Sequence, residues 1–197
     1  MGKSTAAEMM RRLGVPVHDA DATVHRLMAP GGPCFQAIAE KFPETVVGEH
    51  IDRKALGALV FNDQQVRKQL EAIVHPRVRQ AERSFLNRCS RQKRVTVVLD
   101  IPLLFETKGE NRCDRVIVVT APKWLQQKRV LRRPGMTLDK FKAILAAQTP
   151  DAIKRKRADF IIHTGLGYAL TQNELRATLM TLRSTPPQVW PLHYRHQ

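Results

Sequence analysis

The sequence predicts an α/β protein in which helices cover both faces of a parallel sheet. Residues 95–99 and 115–119 form two apolar runs rich in valine, which are typical of strands buried on both faces. Shorter runs at 15–18 and 160–162 predict two further strands. Helical patterns fill the intervals between these runs, and strands that alternate with helices indicate a parallel sheet.

The predicted helices divide the chain into a core and an insertion. Residues 30–92 carry no convincing strand, so we interpret them as a helical insertion between two strands of a core formed by 1–29 and 93–183. Residues 184–197 contain three prolines and predict an irregular tail. The helical patterns cover 3–13, 21–29, 33–42, 52–60, 63–73, 76–91, 122–132, 137–147 and 168–183.

Length and composition exclude several classes of protein. The 197 residues suit one domain with a small insertion, and the 43% hydrophobic content is that of an ordered globular chain. No apolar run approaches the roughly 18 residues of a membrane span, and the amino terminus lacks the apolar part of a secretory signal. Three widely spaced cysteines argue against a disulfide framework, so we expect a cytoplasmic protein.

The net charge of +15 indicates a polyanionic partner. Nucleic acid, an acidic membrane surface and a phosphorylated small molecule all fit that charge. A nucleic-acid-binding protein is less favoured, because no nucleic-acid-binding module is recognisable, aromatic residues make up only 6%, and the basic helices are spread along the chain. We therefore expect neither a nucleic-acid partner nor a membrane.

Gly2-Lys3-Ser4-Thr5 leads directly into the first predicted helix and matches the second half of the phosphate-binding motif G-x-x-x-x-G-K-[ST]. In that motif, backbone N–H groups at the helix start bind phosphate oxygens, the lysine reaches the terminal phosphates and the hydroxyl holds Mg²⁺. The alternative is an ordinary helix start in which Ser4 is the N-cap.

The first half of the motif and the strand before it are not present upstream of this tetrapeptide. That strand is central in folds with this loop, and its four buried side chains would contribute roughly 6–12 kcal/mol. This equals about the whole net stability of a domain, roughly 5–15 kcal/mol. We therefore expect a first central strand to be missing, and a true start about a dozen residues upstream.

Carboxylates follow two of the predicted strands, where ligands bind in open α/β sheets. Asp19 and Asp21 follow the first strand, and either can accept a proton from a hydroxyl or hold a metal-bound water, although Asp21 can also simply cap the next helix. Asp100 follows 95–99 and can position Mg²⁺, activate a hydroxyl or cap the strand end. Residues 101–106 are too apolar for an exposed loop, so we expect them to line a substrate pocket.

Basic residues gather at the end of the helix predicted at 122–132. They can supply cations to a transferring phosphoryl group, or they can form a solvated helix end that is favourable to the helix dipole. The same alternatives apply to 154–157. The helix end predicted at 122–132 comprises the polar Gln127 and the basic residues Lys128, Arg129, Arg132 and Arg133, followed by Pro134-Gly135.

His75-Pro76 is expected to join two helices. The histidines and cysteines show no metal-ligand spacing, so we predict no zinc site.

A series of short motifs, in a characteristic order and spacing over roughly residues 1–182, resembles the dephospho-CoA kinase family. The motifs are Gly2-Lys3-Ser4-Thr5, residues 17–21 with His25, residues 30–33, His75-Pro76, residues 100–106, residues 132–137, Gln148 and residues 158–162.

This resemblance implies a P-loop kinase core with a helical substrate-binding insertion and a short lid at about 132–140. It implies that ATP phosphorylates the ribose 3′-hydroxyl of dephospho-CoA, with Mg²⁺, to give coenzyme A and ADP. Asp19 would accept or orient the hydroxyl proton, while Lys3, Mg²⁺ and lid arginines such as Arg133 neutralise the γ-phosphoryl group.

The other site residues are also assigned through the resemblance. Gly2, Lys3, Ser4 and Thr5 would contact the ATP phosphates, and Ser4 would hold the metal. The substrate site would comprise Asp19, Asp21, His75, Asp100, Pro102 and Leu103. The alternatives that remain are another P-loop small-molecule kinase, such as a nucleoside monophosphate kinase, or an inactive truncated copy.

Overall fold

The computed structural model describes residues 1–190, and the chain divides into two compact units. The first unit comprises residues 1–17 and the chain from residue 92 onward, and the second comprises residues 18–91. The elements, in chain order, are α1 (Lys3–Arg12), β1 (Val17–Asp19), α2 (Ala20–Leu27), α3 (Phe35–Lys41), β2 (Val46–Val47), β3 (His50–Ile51), α4 (Arg53–Asn62), α5 (Gln64–Arg91), β4 (Val98–Asp100), β5 (Ile117–Thr120), α6 (Lys123–Leu131), α7 (Leu138–Ala146), α8 (Asp151–Lys156), β6 (Phe160–His163) and α9 (Tyr168–Ser184).

The strands confirm the predicted α/β class. β5 and β6 are parallel, with Ile117 opposite Phe160 and Thr120 opposite His163. β1 pairs with β4, and the pairing begins where the Val98 N–H donates to the Pro16 carbonyl at 2.9 Å. Each of the four sequence runs that predicted a strand therefore contains part of a strand in the structure, namely β1, β4, β5 or β6.

The amphipathic helix α1 packs its inner face into a hydrophobic core of the first unit. Met9 and Met10 on its inner face are buried against Ile162 of β6 and against Leu175 and Leu179 of α9. Val98, Ile117 and Val119, from β4 and β5, are partly buried against the same cluster. This packing fixes the direction of α1, and its N-terminus lies at the end of β4 that carries Asp100.

The second unit is built around α5, which packs against α2 and α4. The prediction of two helices joined at His75-Pro76 was wrong, because α5 runs without interruption through Pro76. Val74, Phe85 and Leu86 are buried along this helix, and such packing can outweigh the cost of an interior proline, about 3 kcal/mol.

Two short elements were not predicted from the sequence. β2 and β3 form an antiparallel hairpin around Gly48, which has a φ of +59°, so the expectation of no strand in 30–92 was wrong. α8 places the basic run 154–157 at a helix end, and its six residues were too few to show a pattern. The hairpin strands, of two residues each, are too short to show an alternating pattern, whereas α8 is held by distant contacts such as that between Lys154 and Glu106.

The described part of the tail is attached to the first unit by Asp114. Its carboxylate accepts hydrogen bonds from the backbone N–H groups of Gln188, Val189 and Trp190, and the Trp190 side chain is buried. The remainder of the predicted tail, 191–197, lies outside the described residues. Among the helices of residues 1–190, none is both long and apolar enough to cross a bilayer.

Candidate active site

Gly2 turns the chain into α1 and exposes the first N–H groups of that helix. Its φ is +91°, which favours glycine, and an added Cβ would lie in a tight contact of 3.1 Å with the Thr164 side chain. The N–H groups of residues 3–5 have no partner within the helix and suit an anion. No side chain caps the helix, so the alternative interpretation of Ser4 as an N-cap was wrong.

Lys3 and Asp100 form an ion pair, with the Lys3 Nζ 2.6 Å from the Asp100 Oδ1. The Asp100 side chain is 5% exposed, whereas that of Lys3 is 36% exposed. A buried carboxylate needs a compensating charge, and Lys3 provides it from the exposed side. The strand end after 95–99 and the phosphate loop, two separate predictions, therefore meet at one point.

Thr164 follows β6 and lies beside Gly2. Its hydroxyl is within hydrogen-bonding distance of the Met1 and Thr120 carbonyl oxygens, at 2.6 and 3.1 Å. Arg129 of α6 donates to both the Thr164 hydroxyl and its carbonyl, at 3.0 and 2.9 Å. Thr164 was not predicted from the sequence, although its position just beyond the end of β6 is one where sites lie in open α/β sheets.

The loop after Asp100 presents Leu103 to solvent and holds Pro102 half-buried. The loop is fixed at Glu106, whose carboxylate accepts hydrogen bonds from the Thr149 N–H at 2.8 Å and from the Lys154 ammonium at 3.0 Å. Burial acts to raise the pKa of Glu106, but the hydrogen bonds and the Lys154 charge outweigh it, and the pKa lies below its usual value.

A second contact between α8 and this loop lies one helical turn from Lys154. Arg157 pairs with Glu110, and its guanidinium lies 4.7 Å from the centre of the Phe105 ring. Lys154 and Arg157 were predicted either to handle phosphate or to be solvated. The structure shows instead that both are engaged with the loop that follows Asp100.

Arg133 lies in the exposed turn between α6 and α7, where its N–H donates to the Val130 carbonyl. Gly135 follows with a φ of +72°. Arg132, the residue before Arg133, is also exposed. All three arginines are exposed, and Arg129 differs from the other two in its hydrogen bonds to Thr164.

Asp19 is the N-cap of α2 in the second unit. Its Oδ1 accepts a hydrogen bond from the Ala22 N–H at 2.9 Å, and its carbonyl accepts one from the Thr23 hydroxyl at 2.8 Å. Asp21 is exposed in the first turn of α2, so the alternative that Asp21 caps this helix was wrong. The cap fixes the orientation of the Asp19 carboxylate.

His18 precedes Asp19 and is buried, with its ring 5.3 Å from that of Phe85. Burial lowers the pKa of His18, against a raising effect of Glu82; Arg26 lowers the pKa further, Asp19 raises it and Arg88 lowers it. Within residues 1–190, the His18 Nε2 has no hydrogen-bond partner. The residue before the predicted base is therefore a buried imidazole whose pKa lies below its ordinary value.

His75 lies on the exposed side of α5, in a shallow and open surface depression of about 320 Å³. Pro76 has no N–H, so the Ala72 carbonyl one turn earlier lacks its usual helical donor. Lys68 and Arg79 also line this depression. The Glu71 carboxylate lines it as well, so the depression combines two cations, one anion and an imidazole.

The donors near the phosphate loop suit magnesium. In the described part of the chain, no group of three or more His, Cys, Asp or Glu side chains is placed to hold a metal. Ser4 is exposed at the start of α1, and Asp100 lies beside Lys3. Hydroxyl and carboxylate oxygens with water and substrate phosphates are the ligands that Mg²⁺ prefers, so these residues fit it.

The sequence matches known proteins over nearly its whole length. A family profile described as dephospho-CoA kinase matches residues 1–167. The dephospho-CoA kinase of Paramagnetospirillum magneticum is 58% identical over 187 residues, which cover 95% of this chain and 88% of that protein. The dephospho-CoA kinase of Rhodospirillum rubrum is 54% identical over 185 residues, which cover 93% of this chain and 88% of that protein.

Solved structures show the same similarity. The protein TT1252 from Thermus thermophilus superposes with a TM-score of 0.79 at 36% identity, covering 94% of this chain and 93% of that one. The dephospho-CoA kinase from Campylobacter jejuni gives a TM-score of 0.67 at 29% identity, covering 92% of each chain. The predicted P-loop kinase fold is confirmed by these matches.

Proposed function

The chain belongs to the dephospho-CoA kinase family, and from this membership we infer that it uses ATP to phosphorylate the ribose 3′-hydroxyl of dephospho-CoA, giving coenzyme A and ADP in the last step of CoA biosynthesis. The observation that carries this function is the Lys3–Asp100 ion pair at the start of α1. It holds a phosphate-binding lysine at the end of β4, where ligands bind in open α/β sheets.

We propose that residues 2–5 bind the β- and γ-phosphates of ATP. The N–H groups of the first turn of α1 supply fixed donors, and Lys3 supplies a mobile charge on a flexible stem. In the transition state, negative charge spreads over the transferring phosphoryl group, and Lys3 and Arg133 neutralise it. The exposure of Arg133 supports a role in which it meets a ligand from solvent.

We propose that Asp19 accepts or orients the proton of the ribose 3′-hydroxyl. One carboxylate oxygen is engaged by the Ala22 N–H, which fixes the rotamer of the side chain. Fixed geometry is what positions a hydroxyl for in-line attack. Asp100, Pro102 and Leu103 are proposed to line the pocket of the substrate, and Asp21 to contact it.

We propose that Mg²⁺ is held by the Ser4 hydroxyl, with Asp100 nearby. The ion would supply positive charge that neutralises part of the charge of the ATP phosphates. Ser4→Ala should therefore raise the Mg²⁺ concentration needed for half-maximal activity more than it raises the KM for ATP.

We propose that the insertion at 30–92 binds the phosphate-rich part of dephospho-CoA. The surface depression at His75 supports this assignment through Lys68 and Arg79, which outnumber its one carboxylate, Glu71. The first unit carries most of the excess charge: 22 Lys and Arg against nine Asp and Glu, compared with 11 against nine in residues 18–91. Such a field suits the unit that carries the phosphate loop.

The test compares acceptors in a coupled ADP-release assay with ATP and Mg²⁺. Dephospho-CoA should be phosphorylated with a kcat/KM at least about a hundredfold above that for AMP, CMP or UMP, because the acceptor hydroxyl is on the ribose ring and not on a phosphate. Phosphorus NMR of the product should place the new phosphate on the 3′-oxygen. Faster phosphorylation of a nucleoside monophosphate would contradict the proposal.

A further inference from the structure

Thr164 lies against the start of the proposed phosphate loop, beside Gly2. It is 7% exposed, and its Cγ2 and Oγ1 lie 3.1 Å from the position that a Cβ of Gly2 would occupy. A side chain at position 2 would therefore press against Thr164. No motif in the sequence marks this threonine as part of the nucleotide site.

The hydrogen bonds of Thr164 have a defined direction. Arg129 donates to the hydroxyl oxygen, so the single hydroxyl proton is left to donate to one carbonyl. The Met1 carbonyl, at 2.6 Å, is nearer than the Thr120 carbonyl at 3.1 Å. The hydroxyl thus fixes the peptide that enters Gly2, and Arg129 fixes the hydroxyl.

Arg129 extends this chain of contacts to α6. Its guanidinium binds the hydroxyl and the carbonyl of Thr164 together, a two-point contact that only a fork-shaped side chain makes. α6 ends two residues before Arg133. A rotation of α6 would therefore be transmitted through Thr164 to the backbone of Gly2.

We propose that Thr164 and Arg129 are positioning residues for the phosphate loop, which hold the N–H groups of residues 2–5 in the geometry that binds the phosphates of ATP. The inference rests on the proposed function only in naming ATP as the nucleotide. The pair acts on the nucleotide and not on the acceptor, because its contacts are with Gly2, Met1 and Thr120.

The test replaces Thr164 with valine, which keeps the shape and removes the hydroxyl. The dissociation constant of a fluorescent ADP analogue and the KM for ATP should each rise roughly three- to tenfold, the effect of one lost hydrogen bond. The KM for dephospho-CoA should stay within about twofold, whereas a purely structural role would change both KM values together. Thr164→Ser keeps the hydroxyl and should bind nucleotide more tightly than Thr164→Val.

Thr178→Val is the matched control, because Thr178 is equally buried in α9 and lies outside the loop contacts described above. Its nucleotide affinity should equal that of the wild type. Arg129→Lys, which keeps the charge and loses the two-point contact, is the second variant and should also weaken binding of the ADP analogue.

Unchanged affinity in Thr164→Val and Arg129→Lys would overturn the inference, and so would a parallel rise of both KM values. If the wild type binds the ADP analogue but does not phosphorylate dephospho-CoA, the proposed function fails while the inference stands. The two failures are thereby distinguishable.

Discussion

The ammonium of Lys3 lies 2.6 Å from the carboxylate of Asp100, although 96 residues separate them in the sequence. This ion pair joins the phosphate loop to the end of β4. The charge of Lys3 neutralises a buried carboxylate, and in the proposed function the same charge would also bind the phosphates of ATP, so Lys3 would have two roles.

Lys3→Met should lower kcat at least about a hundredfold, because the cation that stabilises the transferring phosphoryl group is removed. It should also lower the free energy of unfolding by about 1–3 kcal/mol, because Asp100 is left buried without its partner. The measurements are ADP release and urea unfolding.

The double variant Lys3→Met/Asp100→Asn separates the two roles. Stability should recover because no buried charge remains, but activity should not. Lys142→Ala, on the exposed face of α7, is the control for loss of a positive charge and should match the wild type. Recovery of activity in the double variant would show that Lys3 acts only by neutralising Asp100.

Asp19→Asn should lower kcat by about two to four orders of magnitude while the KM for dephospho-CoA changes little. The amide oxygen can still accept the Ala22 N–H, and Asn caps helices as well as Asp does, so α2 should keep its stability. Steady-state kinetics and thermal melting check the two halves of this prediction.

Asp52→Asn is the matched control, because Asp52 caps α4 in the same unit through the N–H groups of Lys54 and Ala55. It should leave both kcat and the melting temperature unchanged. Full turnover in Asp19→Asn would remove Asp19 from the chemistry and leave it only as a cap.

The elements that the sequence predicted well are those whose pattern is local. The apolar run at 115–119 anticipates β5, and the rule that ligands lie beyond strand ends pointed to Asp19 and Asp100 from their positions alone. Gly2 was identified by its motif, and the structure adds the reason for glycine, which is the approach to Thr164.

The features that the sequence did not predict depend on distant contacts. Pro76 normally ends a helix, and only the packing of α5 against α2 and α4 lets the helix continue. The roles of Arg129 and Lys154 were ambiguous, because a basic helix end looks the same whether it faces solvent or meets Thr164 and Glu106.

Lys154→Met should destabilise the protein by about 1–3 kcal/mol, because the largely buried Glu106 carboxylate, at 17% exposure, loses its cation. Since the pKa of Glu106 lies below its ordinary 4.5, its contribution is present above that pH and is lost as the pH falls through the folded-state pKa. The difference in melting temperature between Lys154→Met and the wild type should therefore narrow below about pH 4.5. Thermal melting from neutral to acid pH measures it.

Lys156→Met, an exposed residue of the same helix, is the control and should melt with the wild type. The loop after Asp100 is also held by Glu106, so Lys154→Met should raise the KM for dephospho-CoA more than the KM for ATP. An unchanged melting temperature would mean that Thr149 alone satisfies the carboxylate.

His18→Phe should stabilise the protein and remove part of its sensitivity to acid. The buried Nε2 of His18 lacks a partner in residues 1–190, and phenylalanine would fill the same space beside Phe85 without a polar atom, a gain of about 1 kcal/mol at pH 8. Because the pKa of His18 is lowered by burial, the unfolded chain binds the proton more readily, and wild-type stability falls as the pH drops through the ordinary value of 6.5. The variant lacks this loss, so its gain in the free energy of unfolding should grow as the pH falls from about 8 to about 5.5, measured by urea unfolding.

His50→Phe is the control, because His50 is exposed in β3 of the same unit, and its effect on the free energy of unfolding should not grow over this pH range. The contrary result is that the free energies of unfolding of His18→Phe and wild type change in parallel over this pH range. In that case the folded protein accepts the proton on His18, and the imidazole beside Asp19 is charged at the lower pH.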